Sequence, residues 1–260
     1  MDLYYSLAGF IVGLLVGLTG IGGGALMTPV LIVVFKVPLV IAVSTDLLYA
    51  AITKCGGVIN YYRQKMINFP VVLLMLVGSL PASWLTLNYL QQLESLAKVE
   101  ALINTLLGVS LLLTSVAVFL RSKIQRFSTK MAEQSTFRAL AKYRPLITVL
   151  AGFGLGGLVT LSSVGAGALG TALLIVFYPK MKMPEIVSTD LLHAVVLTTV
   201  AGVGHYSMGS VDLSLLFYLL IGSLPGVFIG SYYGVKLSTS VMQPLIGTVL
   251  MLIGGHFLLS

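Results

Sequence analysis

Two short polar stretches interrupt long hydrophobic runs, and their residues could bind an anion. They lie at residues 19–24 (Thr-Gly-Ile-Gly-Gly-Gly) and 162–167 (Ser-Ser-Val-Gly-Ala-Gly). Each precedes a short apolar run that could form a half-helix, whose first turn presents backbone N–H groups and the positive end of the helix dipole. Glycine lets an anion approach that backbone closely, and hydroxyls add further donors. We therefore predict that a small oxyanion is bound by Thr19, Gly20, Gly22, Gly23, Gly24, Ser162, Ser163, Gly165 and Gly167. The alternative is that the glycines only allow close helix packing.

The tripeptide Ser-Thr-Asp occurs twice inside apolar runs, at residues 44–46 and 188–190. A carboxylate at membrane depth is costly and indicates a functional residue by default. Asp46 and Asp190 could therefore carry a coupled proton. An equally good interpretation is structural, with the hydroxyls capping a helix start and each aspartate accepting N–H bonds from a facing hairpin. We predict that Ser44, Thr45, Ser188 and Thr189 contribute to binding and that both aspartates lie on the coupling pathway.

Two more polar residues accompany these aspartates. Lys54 shares a helix face with Asp46, eight residues earlier, and its ammonium group could attract an anion or extend toward the basic loop at 63–65. His193 follows Asp190 by three residues and could be its polar partner. We place both on the pathway. We find no metal-ligand spacing and no credible nucleophile–base pair, so we expect no metal, no cofactor and no enzyme activity.

The composition places these residues in a membrane. The 260-residue chain is 57% hydrophobic and 9% charged, with a mean hydropathy of +1.03, whereas a soluble domain is about 25% charged. Its apolar runs are long enough for helices of about 20 residues, the length that crosses a bilayer. The net charge of +7 comes from loops between these runs. We therefore predict an all-α polytopic membrane protein surrounded by lipid, with no nucleic-acid partner.

Eight hydrophobic segments are predicted, at residues 4–35, 39–61, 70–89, 99–120, 145–178, 184–204, 213–235 and 240–259. The first and the fifth are too long for one straight crossing, and both contain a glycine-rich break. The chain then divides into a first transmembrane repeat (1–120), a basic linker (121–144) and a second transmembrane repeat (145–260).

The two halves are homologous. The Gly-Ala-Leu of residues 24–26 recurs 143 residues later, and the Ser-Thr-Asp-Leu-Leu of residues 44–48 recurs after 144. A single-residue insertion accounts for the difference. Repeats with glycine-interrupted segments in corresponding positions are typical of secondary transporters, whose substrate binds at the repeat interface. The alternative, a duplicated scaffold, gains nothing from two costly breaks.

Loop charges favour one orientation of the repeats. The linker carries seven basic residues against Glu133 alone, and short basic loops stay cytoplasmic. If all eight segments cross, the repeats are parallel and five lysines fall outside: Lys36, Lys98, Lys180, Lys182 and Lys236. If the first and fifth segments are re-entrant hairpins, the repeats are inverted and only Lys36 and Lys98 fall outside. The charges therefore favour inverted repeats with a broken or re-entrant first segment in each half.

These motifs resemble the TauE/SafE sulfite exporter family. The resemblance rests on Gly-Leu-Thr-Gly-Ile-Gly-Gly-Gly-Ala-Leu-Met-Thr-Pro at 17–29, on Ser-Thr-Asp-Leu-Leu in both halves and on Gly-Ser-Leu-Pro-Gly at 222–226. It spans the chain apart from the linker. It implies a multi-pass carrier of the bacterial or archaeal inner membrane, with small sulfur-containing anions such as sulfite and organosulfonates as substrates. It also implies that residues 22–24, residues 44–46 and their partners in the second half are pathway residues.

The residues and the resemblance together predict a secondary active transporter of a small anion. The expected substrate is a sulfur oxyanion or organosulfonate, moved across the cytoplasmic membrane by alternating access, with proton coupling as a weaker hypothesis. The alternatives are an anion channel and a carrier of a different small solute. The transport direction stays open, as does the choice between a monomer and a homodimer.

Overall fold

A computed structural model gives the fold and describes residues 2–19, 24–93, 95–131, 141–234 and 239–259. All regular structure in these ranges is helical. The helices are α1 (Asp2–Thr19), α2 (Gly24–Val33), α3 (Leu39–Arg63), α4 (Phe69–Gln92), α5 (Leu96–Met131), α6 (Arg144–Ser162), α7 (Ala168–Phe177), α8 (Met183–Ser207), α9 (Leu213–Gly234) and α10 (Thr239–Leu259). A 3-10 helix, Ala141–Tyr143, leads into α6.

Six of the described helices are long and apolar enough to cross a membrane, namely α3, α4, α5, α6, α8 and α9. At a rise of about 1.5 Å per residue, even a 19-residue helix approaches the bilayer's hydrocarbon thickness of about 30 Å. The prediction of an all-helical, multi-pass membrane protein is therefore confirmed.

The predicted segments correspond to these helices with one clear difference. The first and fifth segments each contain a long helix followed by one of 10 residues, with the predicted break between them. By contrast, α5 runs past the expected boundary at 120 to Met131. No glycine or proline follows Gly108 in this helix, and Ser128 Oγ donates to the Ile175 carbonyl over 2.6 Å, which binds the end of α5 to α7.

The first helix of each half packs along the third long helix of the other half. Gly9 and Gly13 of α1 lie against the carbonyl groups of Leu219 and Ser223 in α9, and a Cβ at Gly9 would lie 2.3 Å from the Leu219 oxygen. The equivalent contacts in the α6–α4 pair are Gly152 with Met75 and Gly156 with Ser79. Since the residue numbers rise together, each pair is parallel.

Equivalent helices of the two halves pack antiparallel to each other. In the α3–α8 pair, Gly57 lies against Leu191 while Gly202 lies against Leu48. In the α5–α10 pair, Gly108 lies against Leu258, and Ser115 Oγ donates to the Gly247 carbonyl over 2.8 Å. Residue numbers fall in one helix as they rise in the other, so the helices of each pair run in opposite directions.

Basic loops collect at one end of the molecule, which we call the basic end. Ser188 Oγ donates to the Met66 carbonyl over 2.7 Å, so the loop that carries Lys65 lies beside the start of α8. Thr148 and Tyr178 hydroxyls, 2.9 Å apart, join the start of α6 to the loop before α8. The basic end therefore carries Arg63, Lys65, Arg144, Lys180 and Lys182.

Each broken segment reverses direction at its break. Because α1 is parallel to α9, it runs toward the basic end. The chain of α2 leads into α3, whose start lies at the opposite end beside Asp212, the residue that precedes α9: the Asp212 N–H donates to Thr45 Oγ1 over 3.1 Å. The helices α1 and α2 therefore form a hairpin, and the same reasoning applies to α6 and α7.

Candidate functional site

A cavity of about 520 Å³ opens at the basic end, between the α1–α9 pair and the α3–α8 pair. Its walls are largely apolar, with residues such as Val16, Leu191 and Val227. Polar groups are supplied by Thr53, Lys54, Asn60, Tyr61 and Ser231. Such a concave site, apolar with a few placed polar groups, is typical of small-molecule binding.

Lys54 is a buried cation in this cavity wall. Its side chain is 4% exposed, and its Nζ donates to the carbonyl oxygen of Ala166 over 2.9 Å. Ala166 belongs to the break of the other half, so this hydrogen bond is one of those that link the two repeats. Lys54 therefore does not extend toward the loop at 63–65, and the structure favours the alternative in which its charge is available at the site.

The two aspartates occupy equivalent positions with equivalent partners. Thr28 Oγ1 of α2 donates to Asp46 Oδ2, and Thr171 Oγ1 of α7 donates to Asp190 Oδ2 over 2.8 Å. Both carboxylates are buried, and each keeps its Oδ1 without a hydrogen-bond partner. The half-helix after each break thus holds the aspartate of its own half through a threonine.

The second break bends sharply between α6 and α7. Ser163 takes a left-handed backbone conformation with φ 57°, followed by Gly165 at 105° and Gly167 at 131°, where glycine avoids the steric penalty. The first N–H groups of α7 are already used within the break, because Leu169 and Gly170 donate to the Gly165 carbonyl. Backbone donors here are therefore less available to an anion than the sequence pattern indicates.

The serines of this break behave differently from each other. Ser162 Oγ donates to the Leu158 carbonyl over 2.7 Å, so its proton is used locally. Ser163 Oγ is buried without a partner and lies beside Asp46 of the first half. Ser163 is thus the serine of the break whose hydroxyl faces the carboxylate of Asp46 and not a backbone carbonyl.

The predicted residues of the first break lie largely outside the described residues. This applies to Gly20, Gly22 and Gly23 and to the side chain of Thr19, whereas the backbone of Gly24 begins α2. Their role in binding stays a prediction.

Around Lys54, buried polar atoms from both halves lack partners. They are Asp46 Oδ1, Asp190 Oδ1, Ser163 Oγ and His193 Nδ1. Lys54 interacts electrostatically with both aspartates and with His193. Burying such atoms unsatisfied is costly, so they mark a place where a proton, water or ligand would bind.

The other predicted hydroxyls hold helix starts. Thr45 Oγ1 accepts the Asp212 N–H over 3.1 Å, and Thr189 Oγ1 accepts the Asn68 N–H over 3.0 Å. Ser44 Oγ contacts His205 Nδ1 at 2.9 Å, while Ser188 bonds backbone carbonyls. All four hydroxyls are engaged within the protein, and their contribution to ligand binding stays a prediction.

The histidines differ from the expected arrangement. His193 Nε2 contacts Ser79 Oγ at 3.0 Å, so the expected pairing of His193 with Asp190 is not made. His205, which the sequence interpretation passed over, is buried and bridges two helices. Thr28 and Thr171 lie 143 residues apart, which is the offset of the broken segments, so the repeat could have identified both aspartate partners. No comparable signal identified His205, since its partners lie far away in the chain.

Within the described ranges, no three His, Cys, Asp or Glu residues are placed to hold a metal ion.

Comparison with known proteins places this fold and site in a family. The sequence profile of the sulfite exporter TauE/SafE family matches residues 5–257, nearly the whole chain. No solved structure is significantly similar.

Three relatives from Bacillus subtilis (strain 168) are similar along most of their length. The probable membrane transporter protein YjnA is 38% identical over 255 residues, which is 98% of both chains. The probable membrane transporter proteins YdhB and YunE are each 25% identical, over 86% and 95% of this chain and 86% and 93% of their own. Because the family profile matches nearly the whole chain and YjnA is 38% identical over 98% of it, this chain belongs to the TauE/SafE sulfite exporter family of membrane transporters.

Proposed function

We propose that this protein is a secondary carrier of a small anion, a sulfur oxyanion or an organosulfonate, across the cytoplasmic membrane. The observation that carries the proposal is the buried ammonium group of Lys54. It lies in the wall of the cavity and is bonded to the break of the other half. With the hydroxyl of Ser163, which lies beside Asp46, it offers an anion a charge and a hydrogen-bond donor at the repeat interface.

Charge balance at the site supports proton coupling. With both aspartates ionised, Asp46, Asp190, Lys54 and Arg121, whose guanidinium group interacts with Asp190, carry no net charge, and a bound monovalent anion would bring this to −1. Uncompensated charge in a buried, low-dielectric site is costly. We therefore propose that the anion binds together with a proton, which Asp46 or Asp190 accepts.

We further propose that the repeats are inverted and that the basic end faces the cytoplasm. Two-fold symmetry about an axis in the membrane plane requires equivalent helices to run in opposite directions, and the antiparallel α3–α8 and α5–α10 pairs support it. The gathering of basic loops at one end supports the orientation. The cavity then opens toward the cytoplasm.

Ligand binding to purified protein tests the substrate class. We expect sulfite, thiosulfate, sulfoacetate or taurine to raise the thermal unfolding temperature in a concentration-dependent manner, and sulfate to serve as a comparison anion. In Lys54→Thr, which installs the residue of the equivalent position Thr198, the affinity should fall by about tenfold or more, as expected for a lost bond to a charged group. Lys98→Thr, at an exposed lysine, should bind normally.

Flux into proteoliposomes then separates a carrier from a channel. A carrier shows counterflow, because labelled anion exchanges against unlabelled anion without a net gradient, and its flux should rise with an imposed proton gradient. Unaltered binding in Lys54→Thr would remove Lys54 from the site. Flux without counterflow would favour the channel.

A further inference from the structure

The cavity, which both halves line, has an equivalent region at the opposite end of the molecule, and the internal repeat identifies it. The offset of 143 residues for the broken segment and 144 beyond it pairs each cavity residue with a second residue. The cavity residues Val16, Gly17, Asn60, Tyr61, Leu191 and Ser231 correspond in order to Val159, Thr160, Gly204, His205, Leu47 and Leu87. This second set faces the end opposite to the basic end.

The second set forms a packed layer in place of a cavity. Leu47 of α3 and Val159 of α6 belong to one apolar cluster with Leu197 and Ala201 of α8, and all four are 0% exposed. Gly204 of α8 lies so close to α4 that a Cβ on it would be 2.2 Å from Leu87 Cδ1. The helices that stand apart around the cavity therefore have equivalents that meet side to side.

A hydrogen-bonded histidine joins three helices in this layer. His205 Nε2 is 3.0 Å from the Thr160 carbonyl oxygen, and because a carbonyl only accepts, Nε2 carries the proton. In the neutral ring Nδ1 is then an acceptor, and Ser44 Oγ donates to it over 2.9 Å. His205 of α8 thus connects α6 and α3, and both His205 and Ser44 are buried.

We propose that this layer, residues 44, 47, 87, 159, 160, 197, 201, 204 and 205, is a closed gate and that the cavity is the same gate in its open state. The inference rests on the proposed carrier function. In the opposite state the α1–α9 pair closes on α3 and α8 at the basic end, while the α4–α6 pair separates from them. The α1–α9 pair then packs on α3 and α8 as the α4–α6 pair does here, and the α4–α6 pair stands apart from them as the α1–α9 pair does here.

The two gates are not chemically equal, because the hydrogen-bonded histidine exists in one of them. Tyr61 stands at the position equivalent to His205, and Gly17 stands at that of Thr160. The gate at the opposite end is therefore latched by His205, which acts as a positioning residue for the transport cycle. The latch favours the state in which the cavity is open at the basic end.

Two pairs of cysteines test the gate. Each pair is introduced into the Cys55→Ser variant, which has no other cysteine. Leu87→Cys with Gly204→Cys lies across the closed gate and should form a disulfide readily in the ligand-free protein. Asn60→Cys with Ser231→Cys lies on opposite walls of the cavity and should form a disulfide only when the other state is visited. We expect both to form, the second more slowly, and each to stop flux until a reductant is added.

The latch is tested by its effect on the ratio of these two disulfides. His205→Phe keeps the ring but removes two hydrogen bonds, so the 60–231 disulfide should form roughly tenfold faster relative to the 87–204 disulfide. His256→Phe, at an exposed histidine of α10, should leave the ratio unchanged.

The outcomes separate the gate from the substrate. Failure of the 60–231 pair to crosslink, or full flux with the 87–204 pair crosslinked, would overturn the gate. An unchanged ratio in His205→Phe would overturn the latch. Crosslinking needs no ligand, so the expected pattern in a protein that binds no sulfur anion would reject the substrate class and leave the gate in place.

Discussion

Each buried aspartate is bonded to a threonine through one carboxylate oxygen, and its other oxygen makes no hydrogen bond. Asp46 and Asp190 bond to a threonine of the half-helix in their own half, and their second oxygens have no partner. Lys54 interacts with both aspartates, and the guanidinium group of Arg121 interacts with Asp190. These two cations balance two ionised carboxyl groups, so a bound anion would leave one negative charge uncompensated, which is why we expect the anion and a proton to bind together.

Replacing Asp46 with asparagine tests this linkage. If one proton accompanies the anion, binding by the parent protein should tighten about tenfold for each unit by which the pH falls, in the range where the aspartate is ionised before binding. Asp46→Asn is neutral at every pH, so its Kd should change less with pH when measured from pH 5 to 8. The same comparison for Asp190→Asn identifies which aspartate accepts the proton.

A matched control is available outside the site. Asp212→Asn installs the residue of the equivalent position Asn68, and an asparagine can keep the N-cap bond that Asp212 Oδ1 accepts from the Leu215 N–H. The pH dependence of the Kd of Asp212→Asn should equal that of the parent protein. If Asp46→Asn also retained the parent's pH dependence, Asp46 would have no part in coupling.

Sequence patterns identified the aspartates but not all of their surroundings. The repeat located Asp46, Asp190, Thr28 and Thr171 because identical residues recur at a fixed offset. It could not locate the contact of Ser44 with His205, since those residues are 161 positions apart and meet only after the helices have packed. A structural role at a helix start was one of the two interpretations for Thr45 and Thr189, but the sequence could not identify Asp212 and Asn68 as their partners for the same reason.

Hydropathy predicted which segments are helical but not how they pair. The eight segments correspond to helices because the length of an apolar run is enough to predict a membrane helix. The first helix of each half packs on a helix of the other half, α1 on α9 and α6 on α4. These contacts depend on glycines that let the two backbones touch, and the spacing of glycines in a sequence does not indicate which helix is the partner. The longer α5 was missed because its last turns carry charged residues beside the apolar ones.

The α1–α9 contact should be sensitive to one added methyl group. A Cβ at Gly222 would lie 1.7 Å from the Ser6 carbonyl oxygen, and backbone cannot move aside as a side chain can. We expect Gly222→Ala to destabilise the protein by about 1–3 kcal/mol, the usual cost of overpacking. The measurement is thermal unfolding of the purified protein in detergent.

Gly154→Ala provides the control for this substitution. Gly154 lies in α6 with nothing within 4 Å of its added Cβ, and alanine is the better helix former by about 1 kcal/mol. Its unfolding temperature should be unchanged or slightly raised. Equal stability of the two variants would show that the α1–α9 pair is less tightly packed than described.

The arrangement of the whole molecule follows from the directions of its helices. The cavity, the ends of α3 and α9 and the start of α8 share the basic end, and the packed gate lies at the other end. An inverted arrangement explains why the cavity and the equivalent closed layer, each formed by both halves, lie at opposite ends. With parallel repeats, equivalent helices would point the same way, and the cavity and the closed layer would lie at the same end.

The end of α10 decides between these arrangements. Because α10 is antiparallel to α5, and Ser128 near the end of α5 lies beside α7 at the basic end, Leu259 should lie at the opposite, outer end. When Leu259→Cys is introduced into the Cys55→Ser variant, the new cysteine should react with a membrane-impermeant maleimide on intact cells. Ser122→Cys, exposed on the basic part of α5, should react only after permeabilisation. If Leu259→Cys also needed permeabilisation, Leu259 and the end of α5 would both face the cytoplasm. An antiparallel α5–α10 pair does not allow this when both helices cross the membrane, so the inverted arrangement would have to be abandoned.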